Sequence, residues 1–573
     1  MKQIIECVPN FSEGRNREVI DKIVAAMAAV EVNGEHIKVL DVDPGATTNR
    51  TVVTLVGEPA VICEAAVAGG KAAAELIDMR EHHGAHPRSG AMDVCPLIPV
   101  SGITLEECAV LARNLAKRLW EEVSIPCYCY GAAASTPERR DLAYVRQGEY
   151  EALPEKISDP VLHPDFGPAA YDENVAKVGA TNVSARNFLI AVNFNLNTTS
   201  TRRAMAVAFD VREKGRKARE NGTLTGKVLK DENGKDIWIP GTLKGTKAIG
   251  WYIEEYGVCQ VTMNINDMYA TPLHVAFEEV SRAAAARGMR VTGAEIVGLL
   301  PKSALIDAGK FYLARQQRSL GISEEEIIKI AVKSMGLDEL RPFNPREKVI
   351  EYMMLSDEEL AAKERLIRLT CRDFAETTAS EAPAPGGGSV SAYMGSLGAA
   401  LGTMVANLSA HKRGWDDRWE EFSKTAEEGH AIMSELLALV DEDTAAFDKI
   451  MEVFAMPKGT PEEKAARAER MEEATLYATQ VPLRTMKTCF RAFPVLRRMV
   501  ENGNPASVSD AGVGVLATVA GIRGAELNVR INAAGLKDRA TAEAIIAEAA
   551  EISKQALVLQ EEILKLTNQI IDK

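Results

Sequence analysis

The sequence predicts an α+β protein: two split-βαβ (ferredoxin-like) α/β sandwich subdomains followed by an all-α helical bundle. Three observations carry that prediction. Over about the first 340 residues, short apolar runs alternate with helix-period stretches in the order β-α-β-β-α-β, and that order occurs twice. After Gly298 the strand patterns stop, and from about Glu358 the apolar spacing is helical throughout. A chain of 573 residues is also too long for a single core.

The first set reads as strand "QIIECV", a helix over 17–30, strand "HIKVLDV", strand "RTVVTLVG", a helix over 59–78 and strand "AMDVCPLIPV". A helix over 105–122 and strand "IPCYCY" extend it. The second set opens with strand "RNFLIAVNFNL" and a helix over 201–213. "KAIGWYIEEYG" and "CQVTMNIN" then pair as adjacent strands; a helix follows Pro272, and "RVTGAEIVGLL" closes the set. Within it, "GKVLKDENGKDIWIPG" places Asn233-Gly234 between alternating residues, a hairpin signal. Two open sheets imply a cleft between them that suits a ligand. Ser323 and Glu326 form a capping-box pattern before "IIKIAVKSMG", and "LRPFNPREK" reads as a linker. The expected boundaries are 1–180 and 181–335 for the two subdomains, 336–357 for the linker and 358–573 for the helical domain.

A net charge of -14 argues against general nucleic-acid binding, and the nine cysteines contain no C-x-x-C pair, which makes a reducing cytosol the simplest setting. The start reaches Pro9 before a secretory core forms. The uncharged stretch from Ala382 to Ala410 is rich in alanine and glycine rather than leucine, so it reads as a tightly packed soluble helix and not a membrane span.

"MREHHGAHPRSG" packs His82, His83 and His86 into five residues. Gly84 and Pro87 disfavour a helix there, and no H-E-x-x-H pattern or paired carboxylate supplies zinc spacing. Metal binding, a plain polar loop and proton transfer all remain open, with proton transfer favoured by an imidazole titrating near neutrality. "DVDPGATTNR" adds Asp41, Asp43, Asn49 and Arg50, and Arg88 is available to grip a carboxylate bidentately. Asn193, Asn195 and Asn197 alternate with Phe194 and Leu196, so the three amides share a strand face: a pocket lining, or an edge strand facing water. In "HAIMSELLALVDEDTAAFDKI", Asp443 falls on the apolar stripe, either paired with an arginine or held as an acid of raised pKa. "APAPGGGS" lacks a P-loop ending; it is a tight turn or a helix start able to receive a carboxylate. Asp510, Arg523 and Asn528 are further candidates, and "REKGRKAR" is a solvated charge run or an attractor for a polyglutamate tail.

"ECVPNFSEGRN", "LDVDPGATTNRTV", "HHGAHPRSGAMDVCPLIPV", "GEYEALPEKISDPVLHPDFGP", "GATNVSARNFLIAVNFNLNT" and "AIGWYIEE" resemble the glutamate formimidoyltransferase family across residues 1–335. "APAPGGGSVSA", "LVDEDTAAF" and "MPKGTPEEK" resemble the formimidoyltetrahydrofolate cyclodeaminase family, so the whole chain resembles the fused formimidoyltransferase-cyclodeaminases. The hairpin over 222–241 looks like an insertion relative to shorter members. The resemblance implies transfer of a formimidoyl group from N-formimidoyl-L-glutamate to tetrahydrofolate, then ring closure with loss of ammonia. It implies His86 as the transferase base and Asp443 as the second proton donor. It makes the segment from Gly167 and Pro168 to Gly179 a folate contact. It also implies a folate co-substrate, monoglutamate or polyglutamate, no metal, and a homo-oligomer built as a ring of dimers, for which the Gly395, Gly398 and Gly402 face was a candidate contact.

Overall fold

The computed structural model describes residues 3–46, 48–84, 87–222, 226–354 and 365–573. The chain divides into an α/β unit, residues 1–304 with 335–354, and a helical unit, residues 305–334 with 355–573.

In the α/β unit the first sheet runs, in space, Lys38–Gly45, Arg50–Gly57, Ile4–Cys7 continued by Asn10–Phe11, Met92–Ser101, Thr181–Ala185 and Cys127–Gly131. Its first four strands pair antiparallel, and Thr181–Ala185 runs parallel to both its neighbours. The period-two pattern fixes which face is dry. Ile5, Cys7, Leu55, Cys95 and Leu97 are fully buried and share a core with Ile62, Ala66 and Leu115 from the helices Pro59–Leu76 and Leu105–Val123. Glu6, between Ile5 and Cys7, therefore points to the opposite face.

The second sheet runs Thr246–Ile253, Val258–Ile265, Ile190–Leu196 and Val291–Val297, all antiparallel. Numbered along the chain, its order is 2-3-1-4, the same as the first four strands of the first sheet. The helices Thr201–Val211 and Leu273–Ala285 cover one face, where Phe194 meets Phe277 with ring centroids 6.2 Å apart.

Three expectations about boundaries are corrected. Thr181–Ala185 is a strand of the first sheet, so the division expected at 180/181 falls after Ala185; its small polar residues hid the strand pattern. The 336–357 segment expected as a linker packs on the second sheet through residue 354: Leu300 bridges to Val349, and Glu339 accepts from Asn195 Nδ2 at 2.7 Å. The residues from Leu305 to Ser334, assigned to the second subdomain, belong to the helical unit, where Leu320 N donates to Ser423 Oγ (2.9 Å) and Asn407 Nδ2 to Gly321 O (2.9 Å). The hairpin tip does turn at Asn233-Gly234, but the ladder partner of Trp238–Ile239 is Arg216–Lys217, upstream of the predicted stretch.

The helical unit is built on Gly387–Ala410, Trp419–Ala455, Pro461–Phe490, Ala492–Asn502, Val508–Ala533 and Arg539–Ile571. Its core includes Leu436, Val440, Met486, Leu496, Val515 and Ile522. Gly395, Gly398 and Gly402 are spent inside this unit, against Cys489, Thr518 and Leu496 respectively, so they do not form an outward oligomer face. The helix Pro505–Ala533 is long and apolar enough to cross a membrane by composition alone, and just over half of its most apolar stretch is buried in the unit.

Candidate active sites

The first candidate site forms where three loops of the first sheet meet. His82 is buried; its Nε2 donates to the Asn49 carbonyl (2.8 Å), while Nδ1 is buried with no hydrogen-bond partner among the described residues. Burial pushes the imidazole pKa down, only partly offset by the carbonyl, so the neutral ring anchors the loop. Asn49 ties the loops together: its Oδ1 accepts from Gly14 N (3.0 Å) and its Nδ2 donates to His83 O (3.1 Å). Ala85 and His86 lie outside the described residues, so the structure says nothing of the predicted base itself.

Arg88 and Arg50 correct the sequence reading. Both are buried and already hold protein carboxylates instead of awaiting a substrate's. Arg88 grips Glu151 bidentately (2.7 and 2.9 Å), reaches Glu149 at 3.4 Å and lies over the Tyr150 ring. Arg50 pairs with Asp93 and donates to Asn10 Oδ1 (3.1 Å). Asp93 is fully buried and also accepts from Arg146 (2.8 Å) and Ser89 N (2.8 Å). A buried guanidinium needs an anion, and Asp93 serves two. Asp93→Ala is expected to lower unfolding free energy by about 3–5 kcal/mol, because both cations lose their partner. Chemical denaturation checks this, and a change within ~0.5 kcal/mol would leave Asp93 without a structural role. Sequence reading missed Asp93 and Arg146; the available signal was one carboxylate inside an otherwise apolar strand.

Gly179 holds the backbone behind this hub. It has φ +68°, and a side chain there would strike Ser89 O and the Gly90 backbone, across which Gly90 and Gly179 bridge. Gly167 and Pro168 are not brought to the histidine loop; Gly167 packs on Pro164, and Pro168 O contacts His163 Nε2 (3.2 Å). Asp43 is exposed on the sheet-edge strand. Asn193 and Asn195 lie on a central strand, which removes the edge-strand alternative. They are buried among Glu295, Gln260 and Glu339, so they do not line an open pocket; Asn193 Oδ1 keeps a free acceptor position. Asn197 is exposed at the strand end, its Oδ1 accepting from Arg290 N (2.7 Å).

The helix-free faces of the two sheets border a cleft of about 530 Å³, lined by Glu6, Asp41, Thr54 and Arg186 on one side and Ala191, Val297 and Lys348 on the other. Burial raises the Glu6 pKa to about 7, against the opposing pull of Arg186. Below its unfolded value the carboxyl is neutral in both states and its stabilising contribution is complete. Between about pH 4.5 and 7 the unfolded chain loses that proton first, so stability falls as pH rises. Glu6→Gln is expected to flatten this decline by an amount of order 3 kcal/mol, read as denaturation midpoints across that range. Equal pH slopes for variant and wild type would show that Glu6 titrates normally.

The second candidate site lies in the helical unit. Asp443, on Trp419–Ala455, has its Oδ2 accepting from Ser389 Oγ (3.1 Å), and Ser389 in turn contacts Thr444 Oγ1 (3.3 Å). The carboxylate presses against Gly388, where a Cβ would collide with it, at the start of Gly387–Ala410. Burial raises the Asp443 pKa, outweighing its hydrogen bonds from Ser389. Among the described residues no cation pairs with it, whereas its neighbours are neutralised: Glu442 by Arg484, with Tyr477 Oη at 2.6 Å, and Asp448 by Arg365 at 3.6 Å. The structural-pairing alternative for Asp443 therefore finds no arginine among the described residues. A pocket of about 140 Å³ opens beside it, lined by Gly386, Gly387, Phe447, Asn528 and Asn532 among others. Of the weaker candidates, Asn528 joins this pocket, while Arg523 is exposed with Glu526 at 4.0 Å and Asp510 does not line it. Among the described residues no three His, Cys, Asp or Glu side chains converge as a metal site.

Two candidate sites on two compact units, one at a histidine loop and one at an acid with no cation partner among the described residues, fit an enzyme with two activities. Residues 4–186 match the family model described as the N-terminal subdomain of the formiminotransferase domain, 191–355 the formiminotransferase domain, and 370–551 formiminotransferase-cyclodeaminase. The chain is 41% identical over 538 residues to a formimidoyltransferase-cyclodeaminase of Mus musculus, covering 94% of each. It is 40% identical to a glutamate formimidoyltransferase of Thermoplasma acidophilum, over 54% of this chain and 92% of that one. A methenyltetrahydrofolate cyclohydrolase of Methylorubrum extorquens is 40% identical over 34% of this chain and 93% of its own. The chain belongs to the formimidoyltransferase-cyclodeaminase family.

Proposed function

We propose that the chain transfers the formimidoyl group from N-formimidoyl-L-glutamate to tetrahydrofolate, releasing glutamate. It then cyclodeaminates 5-formimidoyltetrahydrofolate to 5,10-methenyltetrahydrofolate and ammonia, in histidine degradation. The carrying observation is the 94% coverage of a two-activity relative by a chain that folds as two units, each with its own candidate site.

In the transfer, folate nitrogen 5 attacks the amidine carbon and loses a proton, and the departing glutamate amine gains one. A single imidazole can carry that proton, the role proposed for His86. The flanking chain supports it: His82 and Asn49 anchor one side of the loop and Arg88 the other. We assign the cleft beside Glu6 and Arg186 to the folate. In the second step nitrogen 10 attacks the same carbon, and ammonia leaves only when protonated. Asp443, whose pKa burial raises, suits that donation. Tetrahydrofolate, with either tail length, is the co-substrate, and we propose no metal.

Two finer parts of the reading have specific support. A split-βαβ pair of subdomains fits the shared 2-3-1-4 strand order. A homo-oligomer built of dimers fits the apolar side chains left outward, Leu527 and Ile531 being 63% and 72% exposed, and the proposed cytoplasmic setting rests on the nine free cysteines. The cyclohydrolase relative favours one rival, a helical unit that hydrolyses methenyltetrahydrofolate, and ammonia release separates the two. Enzyme supplied with formimidoylglutamate and tetrahydrofolate is expected to yield glutamate, ammonia and the methenyl product in equal amounts. Glutamate without ammonia would reduce the function to the transferase alone.

A further inference from the structure

The roomiest cavity among those described is lined by none of the residues assigned above to either reaction. It encloses about 640 Å³ between the helix Thr201–Val211 and the strand pair Arg216–Lys217 and Trp238–Ile239, a size typical of small-molecule sites. Apolar Met205, Ala206 and Phe209 form its floor, and Arg202, Arg212, Arg216, Lys217 and Arg219 surround it, in a chain whose net charge is -14. Two of these cations are neutralised, Arg216 by Asp210 (3.3 Å) and Lys217 by Asp236 (2.5 Å). The other three are not. Arg212 donates only to the carbonyls of Gly215 (3.1 Å) and Ala248 (3.4 Å), and Arg219 only to Gly226 O (2.8 Å). Among the described residues no carboxylate lies within ion-pair distance of Arg202, Arg212 or Arg219. Three arginines lining one cavity, Arg212 lying over the Phe209 ring at 4.2 Å, with no carboxylate partner among the described residues favour a ligand that brings several negative charges.

Trp238 supplies the other half of the recognition. It is 39% exposed at the cavity wall, with Lys214 Nζ and Lys217 Nζ over its ring at 4.9 and 5.9 Å from the centroid, so the indole already attracts positive charge to the cavity wall. The cavity is also separate from the folate cleft. The helix Thr201–Val211 packs directly on the strand at Gly250, against Met205, whereas Ala191 and Val297 face the cleft from the sheet's opposite side. A folate tail leaving the cleft would have to round the sheet edge to reach it.

We infer that this cavity is a second ligand site for a nucleoside polyphosphate, its ring stacked on Trp238 and its phosphates held by Arg202, Arg212 and Arg219. Calorimetric titration of the full chain with ATP, inorganic tripolyphosphate and triglutamate tests this. ATP is expected to bind saturably, and more tightly than either of the ringless probes. Trp238→Ala is expected to weaken ATP about tenfold and leave tripolyphosphate unchanged, as loss of a stacking platform does. Arg219→Gln, and independently the exposed Arg202→Gln, are expected to weaken both phosphates severalfold, with transferase turnover preserved. The second arginine variant keeps the test valid if the first disturbs the hairpin. No saturable ATP binding, ATP affinity unchanged in all three variants, or triglutamate binding more tightly than ATP would each overturn the site.

Discussion

Asp443→Asn is expected to lower ammonia release by about 10²–10⁴-fold, as loss of a general acid does, while glutamate release stays within ~2-fold of wild type. The geometry makes this sharper than a generic acid knockout. Asn keeps the shape that fits against Gly388 and can still accept from Ser389 Oγ, so the pocket persists and only the proton is lost. Stability supplies the control. A carboxyl whose pKa is raised on folding stabilises most at low pH and loses that contribution as pH rises through the folded value. Above its unfolded pKa that contribution is progressively lost, so at neutral pH Asp443→Asn should equal or exceed wild type in thermal midpoint. An inactive variant of undiminished stability identifies a group kept for chemistry. A variant that is both inactive and clearly destabilised would return Asp443 to a structural role.

His86→Ala is expected to reduce transferase turnover by about 10²–10⁴-fold with folate affinity unchanged. The surrounding loop explains why the effect should fall on turnover. His82 is buried and committed through Nε2 to Asn49 O, and burial lowers its basicity, so it anchors the loop and is a weak substitute for a missing base. Arg88 is ion-paired with Glu151 and Glu149 and supplies position, not a proton. Steady-state kinetics with both substrates, together with a folate titration, checks this. Turnover within threefold of wild type, with folate still bound, would remove His86 from the mechanism.

Where side chains alternate cleanly, the sequence was a good guide. "RTVVTLVG" reads as a strand over Arg50–Gly57, and those are its bounds, because one face of it is dry and the register cannot slip. Thr181–Ala185 escaped notice because Asn182 and Ser184 occupy positions that look solvent-facing, yet Asn182 is buried against Ser89 Oγ and Asp93 O. Asp443 was legible as an acid on an apolar stripe, and the missing information was whether an arginine crossed over to it. Arg50 and Arg88 show the reverse failure. Their types suggested substrate carboxylates, but Asp93, Glu149 and Glu151 come from distant parts of the chain that no local spacing can pair with them. Glu6 was visible as a lone acid in "QIIECV"; its depth in a cleft follows only from the way the two sheets face one another.

The most direct test of two successive and separable proton transfers is to give His86→Ala authentic 5-formimidoyltetrahydrofolate and follow ammonia and the methenyl product. Ring closure should proceed at the wild-type rate, since Asp443, the acid proposed for it, lies in the other compact unit. Loss of ammonia release in that variant, alongside loss of transfer, would mean that one site performs both steps.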